Sequence, residues 1–199
     1  MKMLLCSYKE KPILSEVEYG YGDEIKTKYE VIPNTKKGNE YLEQMGVGEI
    51  LNGKIVAECD FEVEDLRIVD DDPLGAYWYE TKTLSENEVL EKSCLTDDEL
   101  YEYLGEDNEG YAIHIKNLHI FNEPKDLDEY YTTPKKMNTL RGSSYVSISL
   151  DHAPRNMMKV CDEDGVEYIL INVQPRELCR ILNGEQPIII KKTILKEMM

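Results

Sequence analysis

The residues best suited to chemistry are few: three histidines, His114, His119 and His152, and five cysteines, at positions 6, 59, 94, 161 and 179, in a chain of 199. The cysteines form an odd set with no C-x-x-C spacing, which fits reduced thiols in a core better than a disulfide framework. His114 and His119 fall on a segment that reads as a strand, where an offset of five puts them on opposite faces, so no shared metal ion is expected. Asp70, Asp71 and Asp72 stand close enough to hold a divalent cation. Followed by Pro73, they read instead as a solvated acidic loop. No Ser-His-Asp order, Walker loop or zinc spacing rises above chance, so no catalytic residue, metal or cofactor is expected.

Charge narrows the functions further. Lys and Arg number 23 against 40 Asp and Glu, giving -17 at pH 7, and a surface of that sign repels phosphate backbones. A general DNA coat and a polybasic membrane anchor are excluded. The basic residues are not evenly spread: residues 132–160 hold Lys135, Lys136, Arg141, Arg155 and Lys159 against Asp151 alone, while the first 131 carry nearly all the negative charge. Apolar runs such as Ile188–Ile190 fall far short of the roughly 20 residues a bilayer span needs, and Met1–Cys6 is too short for a secretory signal. The expectation is a soluble cytoplasmic protein without a membrane partner, and 41% hydrophobic residues suffice for a core.

The elements that must position any site are uneven in clarity. Met3–Tyr8 reads as a buried strand; Ser15–Gly48 reads as loop-rich, with one short helix over Lys37–Met45. After the Asn52-Gly53 turn, Lys54–Val69 alternates Phe61, Val63 and Leu66 with Glu62, Glu64 and Asp65, predicting one long strand bent or bulged near its middle. A polar insertion carrying Tyr77, Trp78 and Tyr79 follows, up to Lys92. Thr96 with Glu99 forms a capping box, so a helix is predicted over Asp97–Leu104 with Gly105 as its stop. Tyr111–Phe121 is the clearest strand, with a change of phase at Asn117 that suggests a bulge. Pro124–Tyr130 reads as a short helical turn. Tyr145–Leu150, Met157–Cys161 and Tyr168–Val173 are strand candidates, Pro175–Leu182 a helix with Gly184 as its left-handed stop, and Ile188–Lys192 the last strand. Without a regular βαβ repeat, the fold class expected is α+β, a small mixed barrel with appended short helices.

At its end the chain resembles a known family. ILINVQPRELCRILNGEQPIIIKKT (Ile169–Thr193) resembles the opening strand, helix, turn and strand of ASCH domains, PUA-like barrel proteins of bacteria and phages, whose opening carries a G-x-K-x-x-E-x-R pattern. Ser93–Tyr131 is similar to the second half of phage-type members, Leu51–Leu66 to their central strand, and His152–Val160 to their closing strand. The family order differs: the segment that opens the family closes this chain, and Met3–Pro12 looks like the strand that would follow it. The resemblance thus implies a circularly permuted single domain over residues 1–199, with Asp162–Gly165 joining the old termini. A truncated second copy is the alternative. Permutation is favoured because no other copy of the opening strand and helix exists here. It further implies that Ile169–Val173 and Ile188–Lys192 neighbour each other in one sheet, within one chain rather than in a swapped dimer.

The pattern's glycine is Gly184, but its lysine, glutamate and arginine positions hold Gln186, Ile189 and Lys191. The amidohydrolase chemistry of some small members, which acts on acetylated cytidine through that lysine, loses its amine here. What the resemblance implies instead is a module with little or no catalysis that binds single-stranded RNA, a nucleotide or a modified base. Gly184, Gln186, Lys191, Lys192 and Arg155 would line its cleft, and a base would stack on a tyrosine. The other class is a phage-type interaction protein whose acidic face, Glu62, Glu64, Asp65 and Asp70–Asp72, mimics nucleic acid or docks on a basic partner.

Overall fold

In the computed structural model, residues 1–7, 13–19, 26–33, 35–45, 51–69, 76–105, 109–132, 146–147 and 157–199 are described. In chain order the elements are β1 (Lys2–Ser7), β2 (Ile13–Tyr19), β3 (Lys26–Ile32), α1 (Lys36–Met45), β4 (Ile55–Val69), β5 (Trp78–Thr81), α2 (Glu86–Ser93), α3 (Asp97–Leu104), β6 (Glu109–Lys125), β7 (Tyr131–Thr132), β8 (Val146–Ser147), β9 (Met157–Cys161), β10 (Glu167–Val173), α4 (Pro175–Leu182) and β11 (Ile188–Lys191). They form an α+β chain that divides into two units, residues 1–59 with 118–183, and residues 60–117 with 184–199. The long strands β4 and β6 contribute residues to both.

The first unit is built on β1 and β10. β1 pairs with β10 in parallel, Leu4 opposite Leu170, and with β4 antiparallel. β10 pairs antiparallel with β9, and β9 in turn with β7, which pairs with β8. A strand covered on both faces reads as a continuous apolar run, and β1 and β10 are buried over Met3–Ser7 and Ile169–Val173. Leu4, Cys6, Ile55, Val160 and Leu170 form the core, closed by Leu127 and Tyr130. Cys6, Cys59 and Cys161 are buried thiols, and burial pushes Cys6 up to about 12. The hairpin of β2 and β3 falls in the stretch expected to be loop-rich. At β3, Tyr29 N–H donates to Asn183 Oδ1 and Tyr29 C=O accepts from Asn183 Nδ2, both at 3.0 Å, which ties it to the end of α4.

The second unit runs β11, β6 and β4, with β5 also on β4. Within this unit the buried positions of β4 are Glu64, Leu66 and Ile68, alternating with exposed Asp65 and Arg67. On β6, His114 pairs with Ile188 of β11 and Ala112 with Ile190. Leu66, Ile68, Ala112, Ile188 and Ile190 form a core that Val89 of α2 and Leu100 and Leu104 of α3 complete. Thr96 caps α3 by accepting from Glu99 N–H, and its own N–H donates back to the Glu99 carboxylate; Gly105, at φ 65, ends the helix in a conformation that suits glycine. Helix α2 has the same reciprocal cap, with Ser85 and Glu88, where a polar insertion was expected.

Two expectations are corrected. Strands β10 and β11 are not neighbours: both edges of β10 are taken by β1 and β9, and β11 pairs with the edge of β6. The Asp162–Gly165 link is a tight turn, with Gly165 at φ 79 and its N–H donating to Asp162 C=O, so β9 and β10 of one chain make a hairpin. Among the described residues neither unit's strand path returns on itself, so these strands do not close into a barrel. In the second unit His114 meets Glu64, and in the first His119 meets Glu58. Asn117 has φ 49, a left-handed residue at the position where a change of phase is expected.

If the buried seam of α3 holds the second unit together, Leu100→Ala will cost about 3 kcal/mol, and Thr96→Ala, which removes one cap, about 1 kcal/mol. Urea unfolding of both variants checks this; a larger loss at Thr96 would mean that the seam does not anchor the helix.

Candidate functional site

The row of buried side chains in the second unit ends in a polar pair. Glu64 continues the inward face of Leu66 and Ile68, and its side chain is 7% exposed. His114 continues that of Ala112, and its Nε2 lies 2.6 Å from Glu64 Oε1. Thr83 supplies two more donors, its N–H to Oε2 and its Oγ1 to Oε1, each at 2.9 Å. Thr83 is held in place by a turn in which Thr81 Oγ1 accepts from Leu84 N–H at 2.8 Å, just before the cap of α2.

Burial is the largest single influence on Glu64 and pushes its pKa up. The bonds from His114 and Thr83 together outweigh it, so the carboxyl ends below its ordinary value and is ionised at neutral pH. An ionised carboxylate can only accept, so Nε2 of His114 is the N–H and Nδ1 is left for other contacts.

These residues form part of the wall of a cleft of about 1040 Å³ that lies within the second unit. Around it stand the carboxylates Glu62, Asp65 and Glu80 and the cations Arg67, Lys82 and Lys116. Lys116 pairs with Glu62, which holds the Glu62 carboxyl below its ordinary value through that hydrogen bond and its charge. Charges of both signs suit a polar or zwitterionic ligand better than a polyanion. Among the described residues no group of three or more His, Cys, Asp or Glu side chains is placed to hold a metal ion.

Of the residues singled out from the sequence, Gly184, Gln186, Lys191 and Lys192 lie elsewhere in the same unit. Gly184 is exposed at φ 77. Gln186 is 4% exposed, and its Nε2 donates to the Ile188 carbonyl at 3.0 Å, so it shapes the entry to β11. Lys191 is half-buried opposite Tyr111. Lys192 is exposed, with Nζ 5.9 Å from the centre of the Tyr103 ring. Arg155 and Asp70–Asp72 lie outside the described residues. Of the supposed acidic face, Glu62 and Asp65 are exposed but Glu64 is turned inward, so that face is not continuous at Glu64.

Two tyrosines flank the buried seam of α3. Tyr103 is 40% exposed beside Lys192, and Tyr101 is 43% exposed, its ring centre 4.6 Å from that of Tyr77. Tyr77 donates its hydroxyl to Asp97 at 2.7 Å, and that bond raises its pKa to about 12. Comparison with family models finds none that matches the chain, and neither the curated proteins nor the solved structures yield a match. The functional reading therefore rests on the sites themselves.

A glutamate with a depressed folded-state pKa contributes stability that is present above its unfolded value and lost as pH falls through the folded value. Glu64→Gln removes that contribution. Chemical denaturation of both proteins from pH 6 downward should show wild type losing stability more steeply on acidification; parallel slopes would mean that Glu64 is not held ionised by its donors.

Proposed function

We propose that the protein is a binding module with little or no catalysis, of the PUA-like type that its ASCH resemblance implies, and that it takes a nucleotide or a short single-stranded RNA. The observation that carries this reading is the exposed Tyr103 ring with the Lys192 ammonium 5.9 Å from its centre. A base offers a π-face to such a ring and its phosphate an anion to the lysine, whatever its sequence. Gln186 is not part of the contact, because its amide is buried and bonded to backbone. Where the resembling enzymes have a lysine there is this amide, so deacetylation of acetylated cytidine is not expected. The hairpin of β9 and β10, turning at Asp162–Gly165, supports the permutation; the separation of β10 and β11 marks a departure from the family's arrangement.

A second reading has its own observation. The first turn of α3 presents Asp97, Asp98 and Glu99, all exposed, beside Tyr101, a surface that suits a basic protein segment. Single-stranded RNA and a lysine-rich peptide separate the two. Titration of a fluorescent short single-stranded RNA should saturate, and Tyr103→Ala should weaken it roughly tenfold, within the range for loss of one base stack. Binding of the peptide alone, lost in Asp98→Lys and untouched by Tyr103→Ala, would overturn the nucleotide reading.

A further inference from the structure

The cleft beside β4 does not involve Tyr103 or Lys192, and nothing said so far gives it a ligand. Its inner wall is a built arrangement. Glu64 is buried and ionised, takes two bonds from Thr83, and receives Nε2–H of His114. His114 lines the cleft with its side chain 21% exposed. Among the described residues its Nδ1 has no hydrogen-bond partner. A histidine whose tautomer is set by a carboxylate on one nitrogen presents a fixed lone pair on the other whenever the ring is neutral. A carboxylate buried merely for packing would not require an imidazole facing an open cleft.

The charge around this acceptor selects what can reach it. Glu62 and Asp65 on β4 and Glu80 on β5 stand with Glu64 about the cleft and disfavour an anionic group near Nδ1. Lys82, in the turn after β5, is exposed, and Lys116 on β6 is tied to Glu62. A ligand that satisfies both signs has an N–H donor at one end and an anion at the other. The volume of about 1040 Å³ lies just above the range of about 300–1,000 Å³ for small-molecule sites, so a metabolite-sized molecule fits and a folded partner does not.

We propose that this cleft is a binding site for a small molecule with an N–H-bearing head and an anionic tail, the head donating to Nδ1 of His114 and the tail meeting Lys82 and Lys116. Glu64 and Thr83 are positioning residues: they hold the imidazole, and the ligand does not depend on touching them. The site is independent of the base stack on Tyr103, and each can fail without the other.

The test uses the full chain with ¹⁵N-labelled histidine, the His114 signals being assigned with His114→Gln. The free protein should show the Nε2–H tautomer. Cytidine 5′-monophosphate and its N4,N4-dimethyl derivative then make a matched pair, the first with exocyclic amino donors and the second with no N–H on its base, and glycylglycine supplies an ammonium head and carboxylate tail without a base. Movement of the His114 Nδ1 resonance with the cytidine nucleotide or with glycylglycine, and at least tenfold weaker binding of the dimethylated nucleotide, supports the proposal; which probe binds separates a nucleotide ligand from a peptide-like one. Lys82→Glu should weaken the bound probe severalfold, and Glu64→Gln should lose the tautomer preference while the backbone amide spectrum stays folded. An Nδ1–H tautomer in the wild type, no movement with any of the three probes, or equal response to the two nucleotides would overturn it. Because RNA binding is read at Tyr103 and this site at His114, RNA binding with an unmoved His114 would sink this inference alone.

Discussion

An ionised carboxylate cannot leave water unless donors replace it, and much of the second unit is arranged by that requirement at Glu64. Two of the donors come from Thr83, whose place is set by the turn that Thr81 closes onto Leu84. The same turn leads directly into the cap of α2, so the start of that helix and the neutralisation of Glu64 share one stretch of backbone. The third donor, His114, requires a fixed register between β6 and β4, and Ile188 of β11 pairs opposite it. An apolar residue at position 64 would remove the desolvation cost, and well-packed apolar replacements of buried ion pairs are often neutral or stabilising. Such a change would also release the imidazole. Holding a defined ring orientation at the cleft is what the pair provides that packing does not.

The first unit follows from a different constraint, the two edges of a central strand. β10 is flanked by β1 in parallel and β9 antiparallel, and its buried residues Ile169–Val173 have no third neighbour to accept. The chain leaving β10 therefore passes through α4, whose Leu178, Ile181 and Leu182 are buried, before β11 pairs elsewhere. The segment that resembles a contiguous family opening is in this way divided between the two units, residues 166–183 in one and 184–199 in the other.

Local signals in the sequence were strong where a single physical rule acts. The Thr96 and Glu99 cap and Gly105 stop bracket α3 because they satisfy its end groups directly, and Pro175 opens α4 where its missing N–H costs nothing. The break in alternation at Asn117 has its counterpart in the left-handed φ of 49 found there. Glu64 was misread because two phases compete along β4. Phe61 and Val63 suggested the inward phase of β4, whereas Leu66 and Ile68, the more deeply buried pair, share the phase of Glu64. A charged residue in register with the stronger apolar pair was the signal that could have found it. Helix α2 carries the same mark as α3, Ser85 three residues before Glu88, but it lies in a polar stretch where it was passed over. The hairpin of β2 and β3 lies in a polar stretch without such a mark.

Charge decides which nucleic acid the proposed stack at Tyr103 can serve. At physiological ionic strength, fields decay over about 8 Å, so a ligand at Lys192 feels that lysine and its immediate surroundings rather than the net charge of -17. A mononucleotide or a short single strand stays largely within that radius. A long duplex does not: its remaining phosphates would lie along acidic surface, where each contact opposes binding instead of releasing counterions in its favour. The same acidity that excludes a general coat protein thus acts as a length filter, and it leaves the aromatic face of a base, which carries no charge, as the group best able to approach.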